Sequence, residues 1–199
     1  MITRKEMTRM LLKEGLLSCL ANRSFESVTV TLLCKASGIT RSTFYLHYSN
    51  IMEIVDDLVD DAISYSRPGM VDNNNLQIIA KALSAASNSI SLREAYDSIF
   101  DRLPLCQRII RHKKYLPLFL DEQISEYVLQ RIIGREKDRQ GLVMAESLGV
   151  SFDVGVSVFV FLVHGLYAVN KQYKWSQSDE WLEAQKTIFE LVYRGLQSR

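Results

Sequence analysis

Apolar residues in the first fifty positions recur at helical spacing, in runs that polar clusters repeatedly interrupt. The first run carries Met10, Leu16, Leu17 and Leu20. It opens at Thr3-Arg4-Lys5-Glu6, which reads as a capping box: a threonine hydroxyl and a glutamate carboxylate satisfy the first backbone N–H groups. Asn22-Arg23-Ser24 interrupts it. Thr29 is expected to cap a short second helix to about Ala36, and Ser37-Gly38-Ile39 to form a tight turn with Gly38 at positive φ. Thr40 then caps a third helix ending near His47, and Asn50, with Glu53 three residues on, caps a fourth.

Further along, turn formers gather from Ser66-Arg67-Pro68-Gly69 to Asn73-Asn74-Asn75, the best candidate boundary in the chain. Leu76 to Ile90 reads as helix, and Tyr96, Phe100 and Leu103 follow at i, i+4 and i+7. Leu116, Leu120, Ile124, Tyr127 and Val128 form another apolar stripe. Gly134 to Gly149, charged and glycine-punctuated, reads as a loop or a frayed helix end. Val150 to Val169 is nearly continuous apolar sequence. Its valines alternate like a strand, but the run is several times a strand's usual length and has no turn within it, so it is expected to be a helix buried on most sides. Asp153 and His164 argue against a membrane span. Ser178 caps a last helix presenting Trp181, Ile188, Leu191 and Val192.

An all-α chain follows, with residues 1–50 as one domain and 51–199 as another. The composition agrees: only 3 prolines and 9 glycines in 199 residues, 47% of them hydrophobic. The net charge of +1 is uninformative, but its distribution is not. Residues 1–50 carry seven Lys/Arg against three Glu, and Glu53 to Asp61 carries five acids and no base. A basic head followed by an acidic patch suits an oriented approach to a polyanion. The three cysteines, Cys19, Cys34 and Cys106, lie far apart and fit reduced core thiols of a cytosolic protein. The start, Met1 to Met10, is polar and charged, so no signal peptide is expected.

The informative stretch is Val28 to Asn50. Two short helices about a glycine turn make a helix-turn-helix. Val30, Leu33, Ala36, Ile39 and Phe44 can pack inward, leaving Arg41, Ser42, Thr43 and Tyr45 outward on the third helix. Such a face can enter a major groove about 12 Å wide. Arg41 suits a guanine edge or a phosphate, and Thr43 suits a base or a thymine methyl. Tyr45, His47 and the capping hydroxyls of Thr29 and Thr40 suit phosphate oxygens, with Tyr48 closing the candidate set. Ordinary capping explains Thr29 and Thr40 but not Arg41, Thr43, Tyr45 and His47 on one short element.

Thr29-Val30, Ala36-Ser37-Gly38-Ile39 and the run from Thr40 to Tyr48 closely resemble the DNA-binding head of TetR-family regulators, over roughly residues 5–60. The resemblance implies an all-helical homodimer. Three helices form the head, a fourth links it to the body, and the last two helices of each subunit build an intersubunit bundle. It also implies double-stranded operator DNA as partner and a small-molecule effector held in the body. The family's DNA contacts fall on Thr29, Arg41, Ser42, Thr43, Tyr45 and His47. One position departs: the lysine that commonly opens the family's fourth helix is Ile51 here. That departure supports an alternative, a partner-binding coactivator without DNA binding of its own.

Tyr96, Phe100, Phe119, Tyr127, Phe159 and His164 are candidates to line an apolar or aromatic effector site, though each also suits plain core. Asp56-Asp57 and Asp60-Asp61 read as a solvated helix face rather than metal ligands. The basic run of Arg108, Arg111, His112, Lys113 and Lys114 reads as a solvated helix end. No catalytic or cofactor motif is present, neither a nucleophile elbow, nor a P-loop, nor a dinucleotide fingerprint, nor zinc spacing, so neither an enzyme nor a cofactor is expected.

Overall fold

The computed structural model describes residues 3–66, 75–85, 90–103, 105–108 and 113–197. Regular structure among them is helical: α1 (Arg4–Leu20), α2 (Val30–Ser37), α3 (Arg41–Tyr45), α4 (Ile51–Ser66), α5 (Asn75–Ser84), α6 (Leu92–Ser98), α7 (Leu105–Arg108), α8 (Leu116–Leu120), α9 (Ser125–Leu148), α10 (Phe152–Gln172) and α11 (Asp179–Gln197). The chain groups into two compact units, Met1–Tyr65 with His112–Gly134, and Ser66–Arg111 with Arg135–Arg199. The turn-rich boundary read at residues 66–75 lies almost wholly outside the described residues, as does the side chain of Cys106.

In the first unit the expected caps are in place. Thr3 and Glu6 form the capping box of α1, and Asn50 Oδ1 accepts from Glu53 N at 3.1 Å at the start of α4. The core is built from Leu12 and Leu16 of α1, Leu33 of α2, Phe44 of α3 and Ile54 and Leu58 of α4, all fully buried. Gly15 lets α1 and α2 meet: a Cβ there would lie 2.0 Å from Ser37 Oγ and 3.3 Å from Leu33 Cδ1. The acidic patch of α4 is not the solvated face that its charges suggest. Asp57 pairs with Arg9 and Asp61 with Lys13 of α1. Asp56 faces Arg131 at 3.2 Å and accepts from the Tyr127 hydroxyl at 2.6 Å, both from α9. Acids at i and i+4 repel one another, so each is stable here because a base from another helix faces it.

In the second unit α9 continues through the segment read as a loop or frayed end. The reason is a close helix crossing. A Cβ on Gly141 would come 2.4 Å from Val156 Cγ2, and one on Gly155 would come 2.3 Å from the carbonyl oxygen of Gly141. These glycines are kept for helix packing rather than for turning. Gly149, at φ +62°, is the one that ends α9. Trp181 of α11 is fully buried, edge-on to Tyr96 at 5.2 Å, and donates its indole N–H to Asn170 Oδ1 at 3.0 Å. Gln107 bridges the Tyr96 hydroxyl, at 3.1 Å, and Gln185, at 2.8 Å.

Other expectations need correction. α5 ends at Ser84, well before Ile90. Tyr96, Phe100 and Leu103 do not share a helix, since α6 stops at Ser98 and a 3-10 turn follows. The stripe from Leu116 to Val128 breaks between α8 and α9, where Asp121 Oδ1 accepts from Gln123 N and Ile124 N. The basic run is not one solvated end. Arg108 is buried and its guanidinium reaches the Asp101 carbonyl at 3.5 Å, whereas Lys114 pairs with Glu14; Arg111 and His112 lie outside the described residues. α10 is a helix as expected but is not buried on most sides. It is long and apolar enough to cross a membrane by length and composition, and 28% of its most apolar window is buried within the chain.

Alanine is a better helix former than glycine, yet Gly15→Ala is expected to destabilise the first unit by about 1–3 kcal/mol through overpacking against Ser37. Urea unfolding checks this; a neutral or stabilising result would mean that α1 and α2 are not in tight apposition.

Candidate nucleic-acid interface

The candidate site is assembled by local backbone chemistry. The Thr29 side chain accepts from Leu32 N at 3.2 Å and opens α2. Gly38 takes φ +66° and ψ +26°, its N–H returning to the carbonyls of Cys34 and Lys35. A left-handed residue strains any side chain but glycine least, so the direction of α3 is set here. Thr40 then caps α3, accepting from Thr43 N at 3.2 Å, and its hydroxyl lies 3.0 Å from Ser42 Oγ and 2.8 Å from Thr43 Oγ1.

One side of α3 enters the core and the other meets solvent. Phe44 is fully buried and meets Tyr45 edge-on at 5.1 Å. Thr29, Thr40, Arg41 and Ser42 are exposed, Thr43 is half-buried, and Tyr45 is 52% exposed. His47 is half-buried, with its Nδ1 turned inward and without a hydrogen-bond partner. Ala36, expected inside, is exposed, while Cys34 of the same helix is buried. Sequence reasoning missed Leu46, which is 81% exposed directly after Tyr45. The sequence pattern leaves its side unassigned, and the direction of α3 turns it to solvent.

Tyr48 departs from its expected place among the outward residues. It is 3% exposed. Its hydroxyl donates to Asp57 Oδ2 at 2.6 Å and accepts from Arg9 Nε at 3.2 Å, and the Arg9 guanidinium lies 5.0 Å from its ring centroid. Burial, then the bond to Asp57, pushes the phenol well above its ordinary range. Asp57 in turn holds the Arg9 guanidinium further into its charged range. This cluster ties α1, the residues after α3, and α4 together.

Ion pairing also redistributes the charge of the head. Arg9 and Lys13 are engaged by α4, so Arg4, Lys5, Arg23, Lys35 and Arg41 carry the exposed positive charge. Ile51 is half-buried at the first position of α4, and the first turn carries Glu53, whose carboxylate accepts from Ser49 N at 2.8 Å. Cys19 and Cys34 are buried, and burial raises both thiols, which keeps them protonated and unreactive at neutral pH.

The candidate effector residues are not gathered within either unit. Phe119 and Tyr127 belong to the first, and Tyr96, Phe100, Phe159 and His164 to the second. Tyr96 is core beneath Trp181, and Tyr127 is committed to Asp56. His164 Nδ1 lies 2.9 Å from the carbonyl of Val160, one turn back on α10.

No family model matches the chain, and no curated protein matches it in sequence. Among solved structures it is similar to the TetR family repressor AlkX from Dietzia sp. strain DQ12-45-1b, implicated in biodegradation of n-alkanes. The TM-score is 0.41 and the identity 14%, over 96% of this chain and 95% of that one.

Tyr48, Tyr115 and Tyr127 are all raised, the first two chiefly by burial and the third chiefly by its bond to Asp56. A raised phenol stabilises the fold fully below its unfolded value of about 10, and the contribution is lost as pH climbs toward the folded value. Stability is therefore expected to fall above about pH 10. Tyr48→Phe should make that decline shallower, by up to about 1.4 kcal/mol per pH unit. Urea midpoints from pH 8 to 11.5 test it, and parallel curves would remove Tyr48 from the alkaline transition.

Proposed function

We propose that this chain is a TetR-like DNA-binding transcriptional regulator, a ligand-responsive repressor that binds a near-palindromic operator as a homodimer in the cytoplasm. Residues 1–50 serve as the DNA-binding head and 51–199 as the ligand-binding and dimerising body. The observation that carries this reading is the outward face of α3. Arg41, Ser42 and Tyr45 stand in solvent on an element turned by Gly38, capped by Thr40 and anchored by Phe44. A cation, a hydroxyl and a phenol on one short helix can meet base edges and phosphates together. Thr29, Thr40, Thr43 and His47 complete the contact set.

The homodimer draws on a second observation. Phe161 on α10 and Leu191 on α11 are each 72% exposed in the single chain. Apolar surface on two long helices favours burial against a second copy, as the resemblance of the sequence implies. Two heads then meet successive major grooves about 34 Å apart. The aromatic-rich body suits an apolar or aromatic effector. The alternative, a partner-binding coactivator that does not bind operator DNA by itself, is favoured by the absence of a base in the first turn of α4, where Ile51 and Glu53 stand.

Operator DNA should be recoverable by genome-wide capture with the full-length chain. On the recovered site Arg41→Ala and Tyr45→Ala are each expected to cost about 1–3 kcal/mol, measured by anisotropy at fixed salt. Unchanged affinity in both would remove α3 as the reading element, and retention of a second regulator without retention of DNA would favour the coactivator. Phe161→Glu is expected to convert the dimer to monomer in light scattering and to weaken operator binding. A variant that stays dimeric would place the interface elsewhere.

A further inference from the structure

We propose that Leu46 reads a thymine methyl group in the operator and so fixes a base preference that the polar contacts of α3 leave open; this rests on the DNA-binding reading above. Leu46 is 81% exposed, more than any other large apolar side chain among the described residues. Its backbone, at φ −75° and ψ −16°, continues the helical path of α3 past Tyr45. Residues four apart lie on one helix face, so Leu46 follows Ser42 and neighbours Tyr45 on the side that Arg41 also borders.

Every other member of that face carries a polar tip, and the one apolar group in the major groove is the C5-methyl of thymine. Hydroxyl and guanidinium groups discriminate donors and acceptors; a methyl is recognised by carbon set against it. Leu46 does not face the core: Phe44, two residues back and so on the opposite side of the helical path, is the fully buried one. Leu46 thus gains its hydrophobic contact only from something outside the chain. A second protein is a poor occupant. The apolar area is one side chain bordered by a cation and hydroxyls, far below a standard interface of about 800 Å² per partner. A groove methyl fits that size and those neighbours.

The test starts by selecting duplexes from a random-sequence library with the full-length protein. The selected site is then remade with deoxyuridine in place of thymidine, one position at a time, which removes the methyl alone. At one position in each half-site, the loss should weaken the wild type about fourfold, the worth of one buried methyl group. Leu46→Ala should bind the thymine duplex about fourfold more weakly and be indifferent to deoxyuridine at that position. Thermal unfolding, expected to be unchanged for so exposed a residue, checks that the variant is folded. Selection that succeeds with no methyl-sensitive position, or a Leu46→Ala protein as methyl-sensitive as the wild type, overturns this inference alone. Failure to enrich any duplex overturns the DNA-binding reading and this inference with it.

Discussion

A five-residue helix cannot hold itself in water, because nucleating the first turn costs more than so few hydrogen bonds return. α3 exists because it is fastened at both ends. At the front Thr40 supplies a hydrogen-bond acceptor and Gly38 the left-handed turn. At the rear Phe44 is fully buried and Tyr48 is bound to Asp57 and Arg9. With the inward side so engaged, Arg41, Ser42 and Tyr45 are left standing in solvent on the outward side.

The acids of α4 belong to the same constraint. Read along the chain they are a run of like charge that ought to repel. In the fold Asp56, Asp57 and Asp61 are each met by a base or a hydroxyl from a different helix: Arg9 and Lys13 from α1, Arg131 and Tyr127 from α9. Arg9 and Lys13 of α1 are thereby engaged internally, and the positive potential of the head falls to Arg4, Lys5, Arg23, Lys35 and Arg41. A charge tally of residues 1–50 therefore overstates what a polyanion would meet.

The second unit shows how one residue type can carry opposite meanings. Gly141 and Gly155 let α9 and α10 approach until a Cβ would strike backbone, while Gly149 ends a helix at positive φ. Local rules treat all three as punctuation. Which glycine turns the chain and which lets a neighbour approach depends on whether another helix crosses there.

The sequence by itself determined what depends on residues within a turn of one another. The capping box at Thr3, the caps at Thr29, Thr40 and Asn50, the glycine turn at 38 and the helical nature of the run from Val150 were all legible, because hydrogen bonds to a neighbour's backbone and apolar run length are local quantities. Tertiary structure alone decided what depends on partners far along the chain. It turned Tyr48 inward and Leu46 outward, paired the α4 acids, carried α9 through its glycines, and left α10 exposed along one side. For Tyr48, the α4 acids and the α9 glycines the deciding atom lies on another helix, and no spacing within one segment can specify it.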